Sequence, residues 1–390
     1  MKKFVFIAAA ALALAACTKT DLIGPQNVIS FQPANQLTKV TGSVFPTDQT
    51  FGTYAWTEGT TGEYFIENKE VSFANGVWST ATAYFWPKNQ SVDFFSYYPY
   101  NVAGTVPTVT KTQLTYSNID FANTQVDIMY ADKAVGYTDN ADQVQNGQEN
   151  GQQNGFTGVP TIFRHAGAKV KVNVILGENE KTEAATGVVT KWDVTLKSTQ
   201  LSGIYTKGNC VLNLADTPTT GLVPWVKPTQ NVGTDTEPNY VNVWTPDVNL
   251  TNSESNSLYN DKQEKDLVKN EGVTVIGKAL GNDQYDGVYM LPQVLAAGQQ
   301  KIYFTFKVVT YRKAPGETDF VEVLTQNNVV LSADLLIDTA DQNQILAWQM
   351  NQSIVYNITI GPAGKQITFD PAVDAWDSKT VATNIELKID

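Results

Sequence analysis

The sequence predicts an all-β protein of two β-sandwich domains followed by a strand-like tail. Three observations carry this. Apolar and polar residues alternate over many short runs, turn residues punctuate those runs, and almost no stretch has the 3.6-residue period of an amphipathic helix. The chain of 390 residues is long enough for two domains, with 42% hydrophobic and only 17% charged residues.

At the N-terminus, Met1-Lys2-Lys3 precedes an apolar run from Phe4 to Ala16 that is too short to span a bilayer. It ends in Leu14-Ala15-Ala16-Cys17, small residues before a cysteine, as a lipoprotein signal peptidase requires. Residues 1–16 are therefore expected to be a signal peptide. Cys17 is the expected lipidation site, its thiol carrying the diacylglycerol that anchors the mature chain to a bacterial membrane. The plainer alternative is an ordinary secretory signal with an incidental cysteine. After Cys17 only Cys210 remains, so the mature chain can form no intrachain disulfide. Cys210, within Gly208-Asn209-Cys210-Val211-Leu212, reads as a small buried strand residue.

Val28 to Phe31 is the first expected strand. Others follow at Gly52 to Trp56, Glu63 to Ile66, Lys69 to Phe73, Ala83 to Trp86 and Val92 to Tyr98. Turn signals such as Asn75-Gly76 and Pro87-Lys88-Asn89 separate them. Phe94, Phe95, Tyr97, Tyr98 and Pro99 form an aromatic cluster expected to be core, with a glycan-stacking platform as the alternative. Gln143 to Gly158 is a Gln/Asn/Gly loop that cannot bury a core. It marks the boundary between an N-terminal domain, 17–158, and a C-terminal domain, 159–376.

The second domain opens with Thr161 to His165 and a two-faced strand, with Val170, Val172, Val174 and Leu176 on one side. Strands are expected over Lys191 to Tyr205 and Asn209 to Leu214. Leu258 to Asn270 is expected to make one short helix within a polar, irregular stretch. Strands resume at Val273 to Ile276, Val288 to Leu291, Lys301 to Tyr311, Phe320 to Leu324, Val329 to Leu331, Ile354 to Ile360 and Gln366 to Phe369.

Residues 377–390 form the tail. From Val381 to Asp390, Val381, Thr383, Ile385, Leu387 and Ile389 fall on one face, and Ala382, Asn384, Glu386, Lys388 and Asp390 on the other. That is the period of a half-buried strand. Such regularity at a terminus implies a groove to receive it, in the same molecule or in a neighbour.

Composition excludes several functions. A net charge of −12 argues against nucleic acid and against a polybasic membrane contact. The single histidine, His165, cannot build a zinc cluster and is expected to be structural. No nucleophile elbow or phosphate-cradling glycine loop is present in the sequence. No spacing among the 39 acidic residues singles out a glycosidase pair. Asp132, Asp139, Asn140 and Asp142 lack the spacing of a regular calcium loop and read as a solvated acidic loop. An enzyme is not expected, nor is a cofactor or metal. A surface glycan-binding lipoprotein using exposed Trp and Tyr is the competing class.

Six pieces in order carry a family resemblance. They are Phe51-Gly52-Thr53-Tyr54-Ala55; Tyr84-Phe85-Trp86-Pro87 with Asp93 to Pro99; Phe163-Arg164-His165-Ala166-Gly167-Ala168-Lys169-Val170; Met290-Leu291-Pro292-Gln293; Trp348 with Tyr356 to Ile360; and Ile367-Thr368-Phe369 with Val373 and Trp376. Over nearly its whole mature length the chain resembles the fimbrillins, lipoprotein pilins of type V pili from Gram-negative gut and oral anaerobes. The resemblance implies sandwich domains of transthyretin-like type and export as an outer-membrane lipoprotein. It further implies proteolytic removal of the first strand and polymerisation into an extracellular fimbrium for cell adhesion. A neighbour's C-terminal strand, from another copy or a related pilin, would fill the vacated groove. Stalk members carry such a tail, which makes Val381 to Asp390 a donor strand and favours stalk over tip or anchor.

The processing site implied is Lys39, the only basic residue between Lys19 and Lys69. It lies in a polar stretch where a trypsin-like protease would find its cation. Many family members have arginine here, so lysine favours a Lys-tolerant protease. The alternative is that Lys39 is a solubilising surface residue and the chain stays whole.

Overall fold

The structure is a computed structural model that describes residues 28–35, 45–59, 62–88, 90–123, 125–138, 158–213, 225–226, 229–231, 240–242, 250–251, 264–281, 284–338, 344–361, 366–374 and 385–388. Among these residues every regular element is a β-strand and none is a helix, as the alternation predicts. They divide into two compact units. The first comprises the described parts of Met1–Ala34, Val44–Ser96 and Asp132–Ile162; the second, those of Asn35–Ser43, Tyr97–Ala131 and Phe163–Asp390.

The first unit is built around strand Phe51–Thr57, which is buried along its whole length. It pairs antiparallel with Ile66–Ala74 and also with Val92–Tyr98. Ile66–Ala74 turns into Val77–Thr80 through Asn75-Gly76, both residues at positive φ (52° and 83°). That is what a two-residue hairpin with right-twisted strands demands. On the far side of Val77–Thr80 lies Phe31–Asn35, the first strand. Thr53, fully buried in the central strand, is satisfied by donating to the Phe95 carbonyl at 3.3 Å and accepting from the Ser96 hydroxyl at 3.0 Å.

In the second unit two sheets share one apolar core. One sheet runs Gly272–Ile276, Ala168–Leu176, Gln352–Ile360, Gln366–Asp374, Ile385–Lys388; the other, Glu180–Thr182, Val189–Ser202, Lys301–Lys313, Val321–Asp334. Val170, Val172, Val174, Ile354, Tyr356, Ile358 and Ile360 from the first sheet cluster with Val194, Leu196, Ile302, Phe304, Phe306 and Val308 from the second. Burying such side chains contributes about 1.5–3 kcal/mol each. Ala168–Leu176 lies parallel to Gln352–Ile360 over nine residue pairs. A parallel pair needs a long crossover, and the chain between the two supplies the whole second sheet.

Several local expectations are corrected. The described part of the expected helix, Glu264 to Asn270, is not helical: Lys265–Asp266 is a strand and Asn270, at φ 61°, sits in a turn. Lys265–Asp266 pairs with Thr195 and Leu196, and Leu267 is buried, so tertiary pairing overrides helix propensity. The first strand is Phe31–Asn35, with Val28 contributing only an isolated bridge to Phe85. Ala83 to Trp86 forms no strand: its ladder stops at that bridge and at the Ile29 amide donating to Tyr84 O. Finally, Glu63–Ile66 with Lys69–Phe73, and Phe320–Leu324 with Val329–Leu331, are each read as two strands. They are the continuous strands Ile66–Ala74 and Val321–Asp334, carried through register shifts beside Asn68 and Asn328, both at positive φ.

Candidate functional site

The first strand of the first unit is the element whose removal the family resemblance implies, and its seat is formed as follows. On one side Phe31 pairs antiparallel with Trp78. On the other, the Val159 amide donates to the Ser30 carbonyl at 2.8 Å. Upstream, the Ile29 amide donates to Tyr84 O at 2.9 Å. Ile29 and Phe31 are 1% and 4% exposed and Pro33 is buried, while Ser30 and Gln32 are half-buried. Alternate residues thus enter the core with a period of two.

The floor of the seat is aromatic. Phe31 stands edge-on to Phe51 and to Phe94, with ring centroids 5.9 and 5.7 Å apart. Phe45 and Trp78 pack in turn on Phe51 at 5.7 Å each, and Trp86 on Phe94 at 5.7 Å. Edge-to-face rings are favourable beyond their burial. Phe94, Phe95 and Tyr97 are almost fully buried, so the aromatic cluster of the sequence is core and not a glycan-stacking platform.

Of the expected site residues, Cys17, Lys39, Val381, Thr383 and Ile389 lie outside the described residues. Ile385 and Leu387 belong to strand Ile385–Lys388, which runs antiparallel to Gln366–Asp374 of the same chain. Their backbone partners are Phe369 and Ile367. The described part of the tail therefore extends the edge of its own sheet. Asp139, Asn140 and Asp142 also lie outside the described residues; Asp132 lies inside them, its amide donating to Ile162 O at 2.9 Å.

The remaining motif residues are structural ties. His165 Nδ1 lies 2.7 Å from Asp127 Oδ1, and the Asn351 amide donates to both His165 O and Gly167 O at 3.1 Å. A side chain on Gly167 would meet the Phe121 ring at 3.2 Å. Gln293 holds both backbone groups of Tyr205 through its side-chain amide, at 3.0 Å each. Cys210 is fully buried in strand Lys207–Asn213, and burial pushes its thiol pKa up. The half of the seat that sequence reasoning missed is the Val159 side. No local sequence pattern signals it, since Val159 and Ser30 lie far apart in the chain.

The chain is similar to solved fimbrial structures. One is a fimbrial protein from Bacteroides vulgatus, 15% identical, matched over 90% of this chain and 99% of that one with a TM-score of 0.46. Another is the tip fimbrial protein Mfa3 from Porphyromonas gingivalis with a C-terminal truncation, 11% identical, matched over 84% and 94% with a TM-score of 0.35. No curated protein sequence matches the chain. The fimbrillin-like family model matches residues 38–376, most of the chain, and the protein belongs to the fimbrillin-like family.

Proposed function

We propose that this protein is a stalk subunit of a type V fimbria, exported as an outer-membrane lipoprotein through Cys17 and polymerised by strand exchange. Cutting after Lys39 releases the lipid together with the first strand. The tail of a neighbouring subunit, from Val381 to Asp390, then enters the vacated seat. The observation that carries this reading is the match of periods. The seat takes side chains at Ile29, Phe31 and Pro33 between two strands. The tail offers Val381, Thr383, Ile385, Leu387 and Ile389 at the same spacing. Main-chain hydrogen bonds would hold the donor and alternate side chains would fill the seat, as in other strand additions. Burying Val381, Ile385, Leu387 and Ile389 gives a gross gain of about 6–12 kcal/mol, partly offset by ordering the tail. The pairing of Ile385–Lys388 with Gln366–Phe369 fits a tail stored on its own subunit before assembly.

The test uses the recombinant mature chain with residues 36–42 replaced by the site of a sequence-specific protease, which spares Lys379 and Lys388 of the tail. Filaments in electron micrographs after cutting support the reading. Filaments of equal yield from a chain lacking Thr380 to Asp390 refute it. Lys39 itself is tested by mild trypsin and N-terminal sequencing of the unaltered chain: a new terminus at Val40 supports processing there, whereas intact chains on native cells refute it.

A further inference from the structure

Gly158 closes the Gln/Asn/Gly loop, and nothing in its composition separates it from Gly147, Gly151 or Gly155. The structure does separate it. A Cβ built on Gly158 would lie 2.9 Å from the Ser30 carbonyl oxygen and 3.0 Å from the carbonyl carbons of both Ser30 and Phe31. All three are backbone atoms of the first-strand segment, so no rotamer change relieves the overlap. The close approach is imposed by the next residue, whose amide donates to that same Ser30 carbonyl at 2.8 Å.

We propose that Gly158 is a positioning residue of the strand seat, setting how closely any strand in it must pass. Two features make this general. The clash is with main-chain atoms, so it is blind to the side chains of the occupant. The hydrogen bond is to a main-chain carbonyl, so every occupant that uses the Val159 amide must come equally near. The occupant intended is the tail, Val381 to Asp390, of a second copy, and in that respect the inference rests on the exchange reading above. The glycine is needed at this place for its missing Cβ and not for an unusual backbone angle, and alanine there would overpack the seat.

The experiment uses the protease-site chain after cutting and removal of the first strand, with two fluorescent peptides, residues 26–37 and residues 379–390. Fluorescence anisotropy gives the affinity of each. Gly158→Ala is expected to weaken binding of both by about tenfold or more. In the uncut chain, the same variant should raise hydrogen exchange at the Val159 amide. If Gly158→Ala binds the first-strand peptide as tightly as the unaltered seat does, the inference is wrong. Should the variant fail to fold, a first-strand peptide with a thioamide at Ser30 puts bulk at the same contact from the other side. Unchanged affinity of that peptide for the unaltered seat overturns the inference equally. Failure of the exchange reading looks different: the unaltered seat then binds the first-strand peptide but not the tail peptide, and the Gly158 effect is still read on the former.

Discussion

Trp348 donates its indole N–H to the hydroxyl of Tyr356 at 2.9 Å, and that hydroxyl donates onward to the Leu335 carbonyl at 2.9 Å. All three residues are fully buried. The relay explains why two residues of the family motif with polar tips sit in an otherwise apolar core. Tyr356→Phe would leave an indole N–H and a carbonyl without a partner where water cannot reach them. The expected loss is about 2–4 kcal/mol of unfolding free energy, measured by urea titration followed by tryptophan fluorescence. A loss below about 0.5 kcal/mol, the range of a neutral surface change, would show that the relay contributes nothing.

The paired strands at the centre of the second unit were legible because they alternate through nearly their whole length. Ala168–Leu176 and Gln352–Ile360 bury every second residue, and the sequence reads them almost to their limits. Strand Gln113–Asp120 went unread for a physical reason. Leu114 and Tyr116 are buried, but the next buried residue is Ile119, three positions on. The step falls at a bulge opposite Gly208 and Cys210, with Asn118 at φ 55° and its amide donating to the Asn209 side chain at 2.7 Å. A bulge adds one residue and flips the face, so a period-two reading fails there. At Asn68 and Asn328 the same geometry reads as a turn. The seat was only half legible, because Val159 meets Ser30 across 129 positions of sequence and no local pattern encodes that contact.

Buried hydroxyls and the thiol predict an alkaline limit. Burial pushes Tyr137 up to about 12 from 10.0, and raises Tyr116 and Tyr356 as well. A group whose native pKa is raised contributes stability that is intact below its unfolded pKa and is lost as the pH rises through the native one. Thermal stability should therefore be flat up to about pH 8.5, begin to fall near pH 9 where the unfolded thiol ionises, and fall further between pH 10 and about 12 as the unfolded tyrosines do. Melts paired with tyrosinate absorbance check this; a decline beginning below about pH 8 would contradict it. By the same cause, the Cys210 thiol should resist iodoacetamide at pH 8 in the native chain and react once unfolded.

Lipidation at Cys17 makes a separate prediction. Cys17→Ala removes the acyl acceptor while leaving Leu14-Ala15-Ala16 in place. The variant should accumulate as an unprocessed precursor that takes up no radiolabelled palmitate. Normal maturation with recovery in the outer membrane would refute the assignment.

On the tail, one face is expected to matter and the other not. Leu387→Asp would bring an unpaired charge into an apolar seat, at a cost of several kcal/mol. Filament yield should collapse. Glu386→Gln, one residue earlier on the opposite face, should leave the yield within about twofold, since isolated surface charges contribute little. Equal yields from the two variants would mean that the alternation of the tail has no role in assembly.

Phe31 and Phe94 distinguish the precursor from the filament. Both rings are buried and meet edge-on at 5.7 Å, so either alanine variant should destabilise the uncut chain by about 3–5 kcal/mol. They should part company after cutting. If the first strand is removed as proposed, Phe31 leaves with it, so a filament assembled from Phe31→Ala chains contains no altered residue and should dissociate in guanidinium at the same midpoint as the unaltered filament. Phe94 stays as the floor of the seat and meets whichever strand fills it, so Phe94→Ala should weaken precursor and filament alike. Phe31→Ala should also speed assembly, because a first strand with less buried surface vacates the seat more readily. A filament from Phe31→Ala that dissociates at a lower midpoint would mean that the first strand is retained, and strand exchange at this seat would have to be abandoned.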